Sequence, residues 1–386
     1  MRILFVADGR SPIAVNWIRY FIETGDEVFL ASTFNYLPEL DLKGLDFIPV
    51  AFSGTKGAAP ANNTRRVSMR TLKLRTAIRH HLGPLTITRA ATKLREVIHH
   101  FKPDLIHAMR IPFEGMLAAE AYSNIPLLVS VWGNDFTLHA PASPLMRHYT
   151  HYTMLVADAL HADCQRDIHL AQDWGYPIKK PSLVTPGNGG VRMDTFHPPQ
   201  ALVEAPTAIN PRGFRTYVRN DIFFRAIPLV LKEIPQARFL CVAMEGEPQA
   251  LEWINRLGIG DAVELLAPVP HDQMGAVFRR AAVLVSPSTH DGTPNTLLEG
   301  IASGCFPIVG DLESIREWIV HGENGLLVDP TNPGALANAI VQAFTHKDLR
   351  VHAAGLNDKR IRERAEYFTC MLQAKSFYER ILARRN

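Results

Sequence analysis

The hydrophobic residues fall into short apolar runs, separated by longer segments in which apolar side chains recur every three or four positions. Arg2–Ala7 is the first run, and after a turn at residues 8–10 a helical pattern extends from Ile13 to Phe21. Residues 28–30 form the next apolar run. A short buried run predicts a strand and the longer repeat predicts a helix, so the chain opens with a strand–helix–strand unit of a parallel sheet.

The same alternation continues along the chain. Further strands are predicted over residues 103–108, 125–131, 207–210, 237–243, 263–266, 283–285 and 306–309. Helices are predicted over residues 222–233, up to about residue 257, after residue 270 and over residues 368–382. Repeated strand–helix units over 386 residues predict an α/β protein with two domains of ordinary size.

The most informative stretch begins with the strand at residues 283–285. A polar turn carrying Asp291 follows, Thr293 is a candidate N-cap, and Pro294 occupies a position that suits the first residue of a helix. This helix carries Glu299 and is expected to stop near Gly304. Ligands of open α/β sheets bind at the carboxyl ends of strands, and a helix N-terminus attracts anions. Two acids beside such a terminus therefore indicate a site for a sugar nucleotide.

This stretch, which reads DGTPNTLLEGIASG, resembles the acidic-x7-Glu signature of glycosyltransferase family 4, a family of retaining GT-B glycosyltransferases. The resemblance implies that Asp291 contacts the donor sugar, that Glu299 binds the ribose hydroxyls, and that amides around Asn295 and Thr296 meet the diphosphate. The first acid here is Asp rather than Glu, and Pro294 has no N–H to donate. The alternative is a capped surface helix with two solvated acids.

Other segments extend the resemblance over nearly the whole chain. They are residues 103–108, 157–164, 184–191 and 324–330, which are similar to family strands or to the segment that ends the N-terminal domain. The implied fold is GT-B, with two Rossmann-like domains facing a central cleft. We expect an acceptor-side domain over residues 1–195, a nucleotide-sugar domain over residues 196–365, and a C-terminal helix over residues 366–386 that crosses back.

A basic loop follows the predicted strand at residues 207–210. Family members carry an Arg and a Lys there that clamp the diphosphate, whereas this chain offers three arginines and no lysine. Arg212 and Arg219 best match the two roles, which makes them candidate catalytic residues, and Arg215 is a substitute donor-binding residue. Guanidinium groups form bidentate contacts with phosphate, so the chemistry tolerates the exchange. The alternative is a basic surface loop.

In the N-terminal half, the turn after the first strand resembles a family loop that lies in the cleft, and it makes Gly9 and Arg10 candidate donor contacts. Trp132, Asn134 and Asp135 follow a later strand, where the family often has a His-Gly-x-Asp turn under the donor sugar. Asp135 is therefore a candidate catalytic residue. Trp132 and Asn134 are assigned to the acceptor side, and a tryptophan can stack on a sugar but cannot carry a proton. His107 and His139 are interpreted as lone structural histidines.

A basic segment, residues 64–102, lies in the first half. Residues 47–95 contain no Asp or Glu and ten Lys or Arg. Two helices are predicted, one with Leu74, Ile78 and Leu82 on one stripe and one running from Ile87 to Phe101. Such a segment suits an anionic membrane surface or a phosphorylated acceptor. Two ordinary helices with solvated charges explain it equally well.

Composition restricts the classes of partner, membrane association and metal site that the chain can have. A net charge of +3 gives no case for nucleic acid, and no apolar run approaches the ~20 residues of a membrane helix. Four scattered cysteines lack metal-binding spacing and fit reduced thiols. We therefore expect a cytoplasmic protein, in contact with the inner membrane face at most peripherally. The family resemblance implies that the protein requires no metal or other cofactor.

The sequence thus predicts a retaining glycosyltransferase that moves a sugar from a nucleoside diphosphate donor to a hydroxyl acceptor of a saccharide, a lipid-linked molecule or a small molecule. Two alternatives remain open. One is another GT-B enzyme, a sugar-nucleotide epimerase or a phosphorylase. The other is a non-catalytic nucleotide-sugar-binding module, which the missing His at Trp132 and the altered arginine loop would fit.

Overall fold

The computed structural model describes residues 1–53, 69–121 and 123–384, and for residues 69–74 and Thr216 it describes the backbone only. The chain divides into two compact units. Unit 1 comprises Met1–Gly189 and Met371–Asn386, and unit 2 comprises Gly190–Cys370. The sequence placed these divisions at residues 195 and 365. Residues 190–195 belong to unit 2 because Val191 donates its N–H to the Ala365 carbonyl oxygen at 2.6 Å.

Unit 1 is built on a parallel sheet of seven strands in the order β3-β2-β1-β4-β5-β6-β7. The strands are β1 Arg2–Ala7, β2 Glu27–Ser32, β3 Gly44–Phe47, β4 Leu105–Met109, β5 Leu127–Val131, β6 Ala159–Ala162 and β7 Ser182–Val184. Strand order reverses between β1 and β4, which are paired in register from Ile3 with Leu105. Polar residues that follow these strands therefore meet at one edge of the sheet.

The sheet of unit 1 is flanked by helices, most of which pack on it through buried apolar residues. They are α1 Pro12–Glu23, α2 Met69–Leu82, α3 Ile87–Phe101, α4 Met116–Glu120, α5 Pro144–Val156 and α6 Gln165–Asp173. Helix α1 begins at Pro12 because the Ser11 hydroxyl accepts from the Ala14 N–H at 3.4 Å and proline suits the first helical position. The predicted apolar stripe of α3, from Ile87 to Phe101, is buried.

Unit 2 contains a second parallel sheet, of six strands in the order β10-β9-β8-β11-β12-β13. The strands are β8 Thr207–Asn210, β9 Arg238–Cys241, β10 Val263–Leu265, β11 Val283–Ser286, β12 Phe306–Gly310 and β13 Leu326–Val328. The helices are α7 Asn220–Glu233, α8 Pro248–Leu257, α9 His271–Phe278, α10 Asn295–Ala302, α11 Glu313–Arg316, α12 Pro333–Thr345 and α13 Lys347–Arg364. Both sheets confirm the predicted α/β fold with two Rossmann-like domains.

A last helix, α14 Tyr367–Ala383, begins in unit 2 and continues into unit 1. Tyr378 stacks on Phe21 with ring centroids 4.5 Å apart, and its hydroxyl accepts from the Trp17 indole N–H at 3.0 Å. The C-terminal part of this helix is therefore integral to the core of unit 1.

Candidate functional site

In unit 2, the signature stretch lies at the carboxyl end of β11 and leads into α10. Gly300 lets this helix lie directly on the sheet, because a Cβ there would clash with Leu284 and would lie 3.2 Å from the Phe278 ring. The helix begins at Asn295, with Pro294 as its N-cap residue and no side-chain cap. The predicted cap at Thr293 is therefore wrong. The Thr293 hydroxyl instead accepts from the Trp318 indole N–H at 2.9 Å, which removes it from the helix terminus.

Asp291 forms an ion pair with Arg212, whose side chain comes from the loop after β8. The two side chains are only 12% and 11% exposed, so water screens the pair weakly. Burial lowers the pKa of Arg212, but the Asp291 carboxylate outweighs that effect and raises it overall. The structure thus brings together the residues predicted to contact the donor sugar and the diphosphate.

Glu299 is the second acid of the signature, and its carboxylate lies 2.8 Å from Nε2 of His271. The Glu299 side chain is 5% exposed, whereas that of His271 is 61% exposed, so the histidine covers the acid from the solvent side. The hydrogen bond to Glu299 raises the pKa of His271. Sequence reasoning missed His271 because no spacing rule connects α9 with α10.

At the start of α10, Asn295 and Thr296 are half-buried. The Asn295 Oδ1 atom is buried and has no hydrogen-bond partner. The first turn of this eight-residue helix leaves amide N–H groups without intrahelical acceptors. The terminus can therefore receive an anion or a hydroxyl, in line with the predicted diphosphate contacts.

The other two predicted arginines lie differently. Arg219 has a left-handed backbone with φ of 52° and binds the Asp221 carboxylate through Nε and Nη2, each at 2.9 Å. Arg215 is exposed and donates to the Tyr217 hydroxyl at 3.2 Å. Arg212 is therefore the one of the three that binds an acid of the signature stretch.

In unit 1, Asp135 follows β5 and is almost fully buried. Its carboxylate accepts from Arg110 Nε at 3.0 Å, from the Ile111 N–H at 3.2 Å and from the Trp132 N–H at 3.1 Å. Burial raises the pKa of Asp135, and Arg110 opposes that rise. These contacts make Asp135 an anchor for Arg110, a residue that sequence reasoning missed.

Trp132 and Asn134 flank the same turn and are half-buried. The Trp132 indole Nε1 and the Asn134 Oδ1 atom are both buried without a hydrogen-bond partner. Most buried polar groups in proteins are paired, so an unpaired donor beside an unpaired acceptor suits a polyhydroxyl ligand.

Gly9 and Arg10 follow β1. Gly9 donates its N–H to the Ser32 hydroxyl at 3.2 Å, and a Cβ there would approach that oxygen to 3.0 Å. The Arg10 guanidinium donates two hydrogen bonds to Asp8, each at 3.0 Å, and its carbon lies 3.4 Å from the Phe34 ring centroid. Both residues therefore lie at the carboxyl edge of the unit 1 sheet, whereas the acids of the signature lie in unit 2.

His107 and His139, which the sequence analysis interpreted as structural, both have hydrogen-bond partners within the fold. His107 Nε2 lies 2.8 Å from the Ser130 hydroxyl, and its Nδ1 contacts the Tyr378 hydroxyl. His139 Nδ1 lies 3.1 Å from His80 Nε2. The partners in these contacts are distant in the chain, so no local sequence pattern predicts them.

Within the described part of the chain, one group has metal-ligand proximity: the side chains of Asp163, Cys164 and Asp167 approach one another within 4.8 Å. Arg166 already binds Asp167, with Nη2 at 2.6 Å from a carboxylate oxygen. Burial raises the pKa of the Cys164 thiol well above its ordinary value, so the thiol stays protonated. A carboxylate already paired with an arginine and a protonated thiol are poor ligands for a metal ion.

No helix among the described residues is both long enough and apolar enough to cross a bilayer.

Two protein-family models match the chain. The model described as "Glycosyl transferase 4-like domain" matches residues 16–187, and the model described as "Glycosyl transferases group 1" matches residues 214–346. These segments contain both sets of site residues described above, except Gly9, Arg10 and Arg212.

Curated relatives match part of the chain. The D-inositol 3-phosphate glycosyltransferase of Thermobispora bispora is 27% identical over 188 residues, covering 44% of this chain and 44% of the relative. The lipopolysaccharide core biosynthesis mannosyltransferase LpcC of Rhizobium leguminosarum is 28% identical over 180 residues, covering 42% of this chain and 50% of the relative. The matched region thus spans half or less of these relatives.

Solved structures match the fold over its whole length. Sucrose-phosphate synthase of Thermosynechococcus elongatus superposes with a TM-score of 0.76 at 16% identity, covering 99% of both chains. HepE of Anabaena, solved with UDP and glucose, superposes with a TM-score of 0.71 at 14% identity, covering 98% of this chain and 99% of that chain. With both family models and this fold, the chain belongs to the GT-B glycosyltransferases.

Proposed function

We propose that the protein transfers a sugar from a nucleoside diphosphate sugar to a hydroxyl acceptor. The observation that carries this proposal is the joining of Asp291, Arg212 and the start of α10 at the carboxyl end of β11, with Glu299 one turn into the helix. The named relatives are glycosyltransferases, and HepE was solved with UDP-glucose, which makes UDP the first nucleotide to try.

The donor would be held by complementary groups. Glu299 suits the ribose hydroxyls, which donate to a carboxylate, and Asp291 suits hydroxyls of the sugar. Arg212 and the free amides around Asn295 and Thr296 suit the diphosphate. The diphosphate gains negative charge as the glycosidic bond breaks, so the same groups would stabilise the leaving group.

We propose further that transfer retains the anomeric configuration. Asp135 is enclosed by three hydrogen-bond donors, which suits positioning better than nucleophilic attack. Attack from the same face as the departing diphosphate, assisted by that diphosphate, requires no enzyme nucleophile. A glycosyl adduct trapped on Asp135 or another side chain would contradict this mechanism.

The first test is calorimetric titration of UDP, GDP and ADP into the wild type and into Glu299→Ala. One nucleotide should bind saturably, and the variant should lose at least tenfold in affinity, because the ribose loses a buried acceptor. Glu252→Ala is the matched control, since Glu252 is an exposed acid on α8 of the same unit. If no nucleotide binds, or if Glu299→Ala binds as tightly as the wild type, the proposed site is wrong.

Two other functions would bind a nucleotide in the same way. A sugar-nucleotide epimerase or a phosphorylase would convert or cleave its substrate without a hydroxyl acceptor, and a binding module would turn over no donor. Product analysis by mass spectrometry with a panel of donors and acceptors separates these outcomes.

The basic segment is the basis for a further part of the proposal, peripheral contact with an anionic membrane. Residues 64–68 lie outside the described residues. In the described part, α2 exposes Ile78 and Leu82, at 41% and 49%, near the exposed Arg75. Exposed apolar and basic side chains on one helix suit an anionic bilayer surface. Co-sedimentation with anionic vesicles at low salt, but not with neutral vesicles, is the expected result.

A further inference from the structure

Arg79, on helix α2 of unit 1, is unusual because its guanidinium packs against two aromatic rings, while the described acids that act on its charge, Glu114 and Asp8, lie beyond salt-bridge distance. Its guanidinium carbon lies 4.7 Å from the ring centroid of Phe113 and 5.4 Å from that of Phe34. Its Nε atom is buried and has no hydrogen-bond acceptor. Among the described residues, no carboxylate forms a salt bridge with it within 4.0 Å. Burial lowers the pKa of Arg79, which reports the cost of holding this charge away from water.

Two further arginines, Arg10 and Arg110, lie near Arg79. Arg10 lies over the Phe34 ring that Arg79 also contacts. The positive charge of Arg110 contributes to the lowered pKa of Arg79. The side chains of Arg10 and Arg110 are 37% and 31% exposed, so the cluster is open to solvent. We call these three residues, Arg10, Arg79 and Arg110, the arginine cluster.

None of the described carboxylates near the cluster forms a salt bridge with Arg79. Asp8 binds Arg10, and Asp135 binds Arg110. Glu114 is buried and hydrogen-bonded to the Thr33 hydroxyl at 2.6 Å. Burial raises the pKa of Glu114, and its charge favours the Arg79 cation only from beyond salt-bridge distance.

Two neighbouring histidines add no positive charge of their own. His80 and His139 pair with each other at 3.1 Å. Burial first, and then the charges of Arg110 and Arg79, lowers the pKa of His139 to about 3, and burial together with Arg79 also lowers that of His80. Both shifts favour the neutral imidazoles, so the positive charge at this place comes from the arginines.

The cluster also lies where the sheet of unit 1 receives ligands. Arg10 follows β1, Phe34 follows β2 and Arg110 follows β4, so the carboxyl ends of three adjacent strands supply it. Arg110 and Phe113 both have positive φ, at 125° and 71°. For residues with side chains this conformation is strained, and such strain is concentrated at functional sites.

We propose that the arginine cluster binds an anionic group, a phosphate or a carboxylate, on the acceptor molecule. This inference rests on the proposed function for its statement that the ligand is the acceptor. A planar guanidinium matches both oxyanions through paired N–H donors. A partly desolvated guanidinium without a hydrogen-bonded acceptor is costly, and an oxyanion at Arg79 would offset that cost. A neutral sugar could not form an ion pair with Arg79.

The test follows the Nε–Hε resonances of arginine by NMR during titration with inorganic phosphate, using the full chain with labelled arginine. The Arg79 resonance, assigned as the one missing from Arg79→Gln, should shift saturably. The resonance of Arg147, an exposed residue of α5 in the same unit, is the internal control and should not saturate. Phosphate bound near Arg212 in unit 2 is seen separately, since each arginine has its own resonance.

Calorimetry then compares variants. Arg79→Gln should lower the affinity for inorganic phosphate at the arginine cluster at least tenfold. Arg79→Lys should lower it less, and Arg147→Gln should leave it unchanged. If Arg79→Gln does not fold, Arg10→Gln, at an exposed position, replaces it with the same expectation. Equal losses in Arg79→Gln and Arg147→Gln, or a linear unsaturated shift of Arg79, would overturn the proposal.

Acetate is titrated in parallel to identify the anion. Tighter phosphate binding indicates a phosphorylated acceptor, and tighter acetate binding indicates a carboxylated one. Failure of the proposed function would appear separately, as absence of nucleotide binding in unit 2 while the Arg79 resonance still responds to phosphate.

Discussion

Arg212 and Asp291 act as each other's counter-ion in a largely buried environment, and this makes them the most sensitive residues of the unit 2 site. Neither charge would be stable there alone, because desolvation of an unpaired ion costs several kcal/mol. Under the proposed function, Arg212 would bind the donor diphosphate while Asp291 stays close to the sugar. The ion pair would then hold both side chains in place before the donor binds.

We predict that Arg212→Gln and Asp291→Asn each lower the free energy of unfolding by about 3 kcal/mol, because each leaves one buried charge without its partner. The double variant should lose less than the sum of the two, since neither charge remains. Urea unfolding of the four proteins measures this double-mutant cycle. Additive losses would mean that the two side chains do not stabilise each other.

At the scale of one element, α10 can bring its N-terminus to the edge of the sheet because Gly300 has no side chain. We predict that Gly300→Ala destabilises the protein by about 1–3 kcal/mol through overpacking against Leu284 and Phe278. Nucleotide affinity should fall as well, because the helix start moves away from the ligand.

Gly355→Ala is the matched control. Gly355 lies inside α13, and a Cβ there meets nothing within 4 Å. Alanine should stabilise this helix by about 0.5–1 kcal/mol, since glycine is the poorer helix former. Thermal unfolding and nucleotide titration of both variants separate packing from propensity, and equal behaviour of the two would refute the packing argument.

Helix α14 is linked to three strands of unit 1 by a chain of buried hydrogen bonds. The Trp17 indole donates to Tyr378, whose hydroxyl contacts His107, and Ser130 lies 2.8 Å from His107 and 2.9 Å from His161. His161 Nε2 ends the chain 3.0 Å from the Thr185 carbonyl oxygen, which can only accept. We infer that every donor points toward Thr185 and that both histidines are neutral.

This chain predicts acid sensitivity. Burial lowers the pKa of His161 to about 4, so the unfolded state binds protons more readily once the pH falls below about 6.5. The stabilisation is complete above pH 6.5 and is lost as the pH falls toward 4, by roughly 3 kcal/mol for this residue. Urea unfolding of His161→Asn between pH 7 and 4 should show a shallower decline than the wild type. Parallel curves would contradict the assignment.

At the scale of the whole molecule, charge is balanced, with 41 basic and 38 acidic residues, and the relevant feature is where single cations lie. In the proposed reaction, Arg212 and the amides at the start of α10 would provide the positive charge that a departing diphosphate requires. We therefore expect a transferase that needs no metal ion.

Activity after removal of metals with EDTA should stay within about twofold of the untreated enzyme, a change well under 1 kcal/mol in barrier height. Asp167→Asn is a useful companion, because Asp167 belongs to the one described group with metal-ligand proximity. A tenfold loss of activity that magnesium or manganese restores would contradict the expectation.

The sequence by itself determined the architecture, because strand and helix periodicity is a local property. Apolar runs at residues 103–108 and 237–243 became β4 and β9, and the stripe from Ile87 to Phe101 became the buried face of α3. It also located the acids Asp291 and Glu299, since a strand, a polar turn and a helix start lie within twenty residues.

Only the tertiary structure decided which charges meet. Arg212 and Asp291 are 79 residues apart, Glu299 and His271 are 28 apart, and Tyr378 and His107 are 271 apart. It also enclosed Asp135 with Arg110 and left Arg79 between two phenylalanine rings. Periodicity records which side of an element is buried, but the partner of a buried charge depends on how distant elements pack, and that is set by the folded chain as a whole.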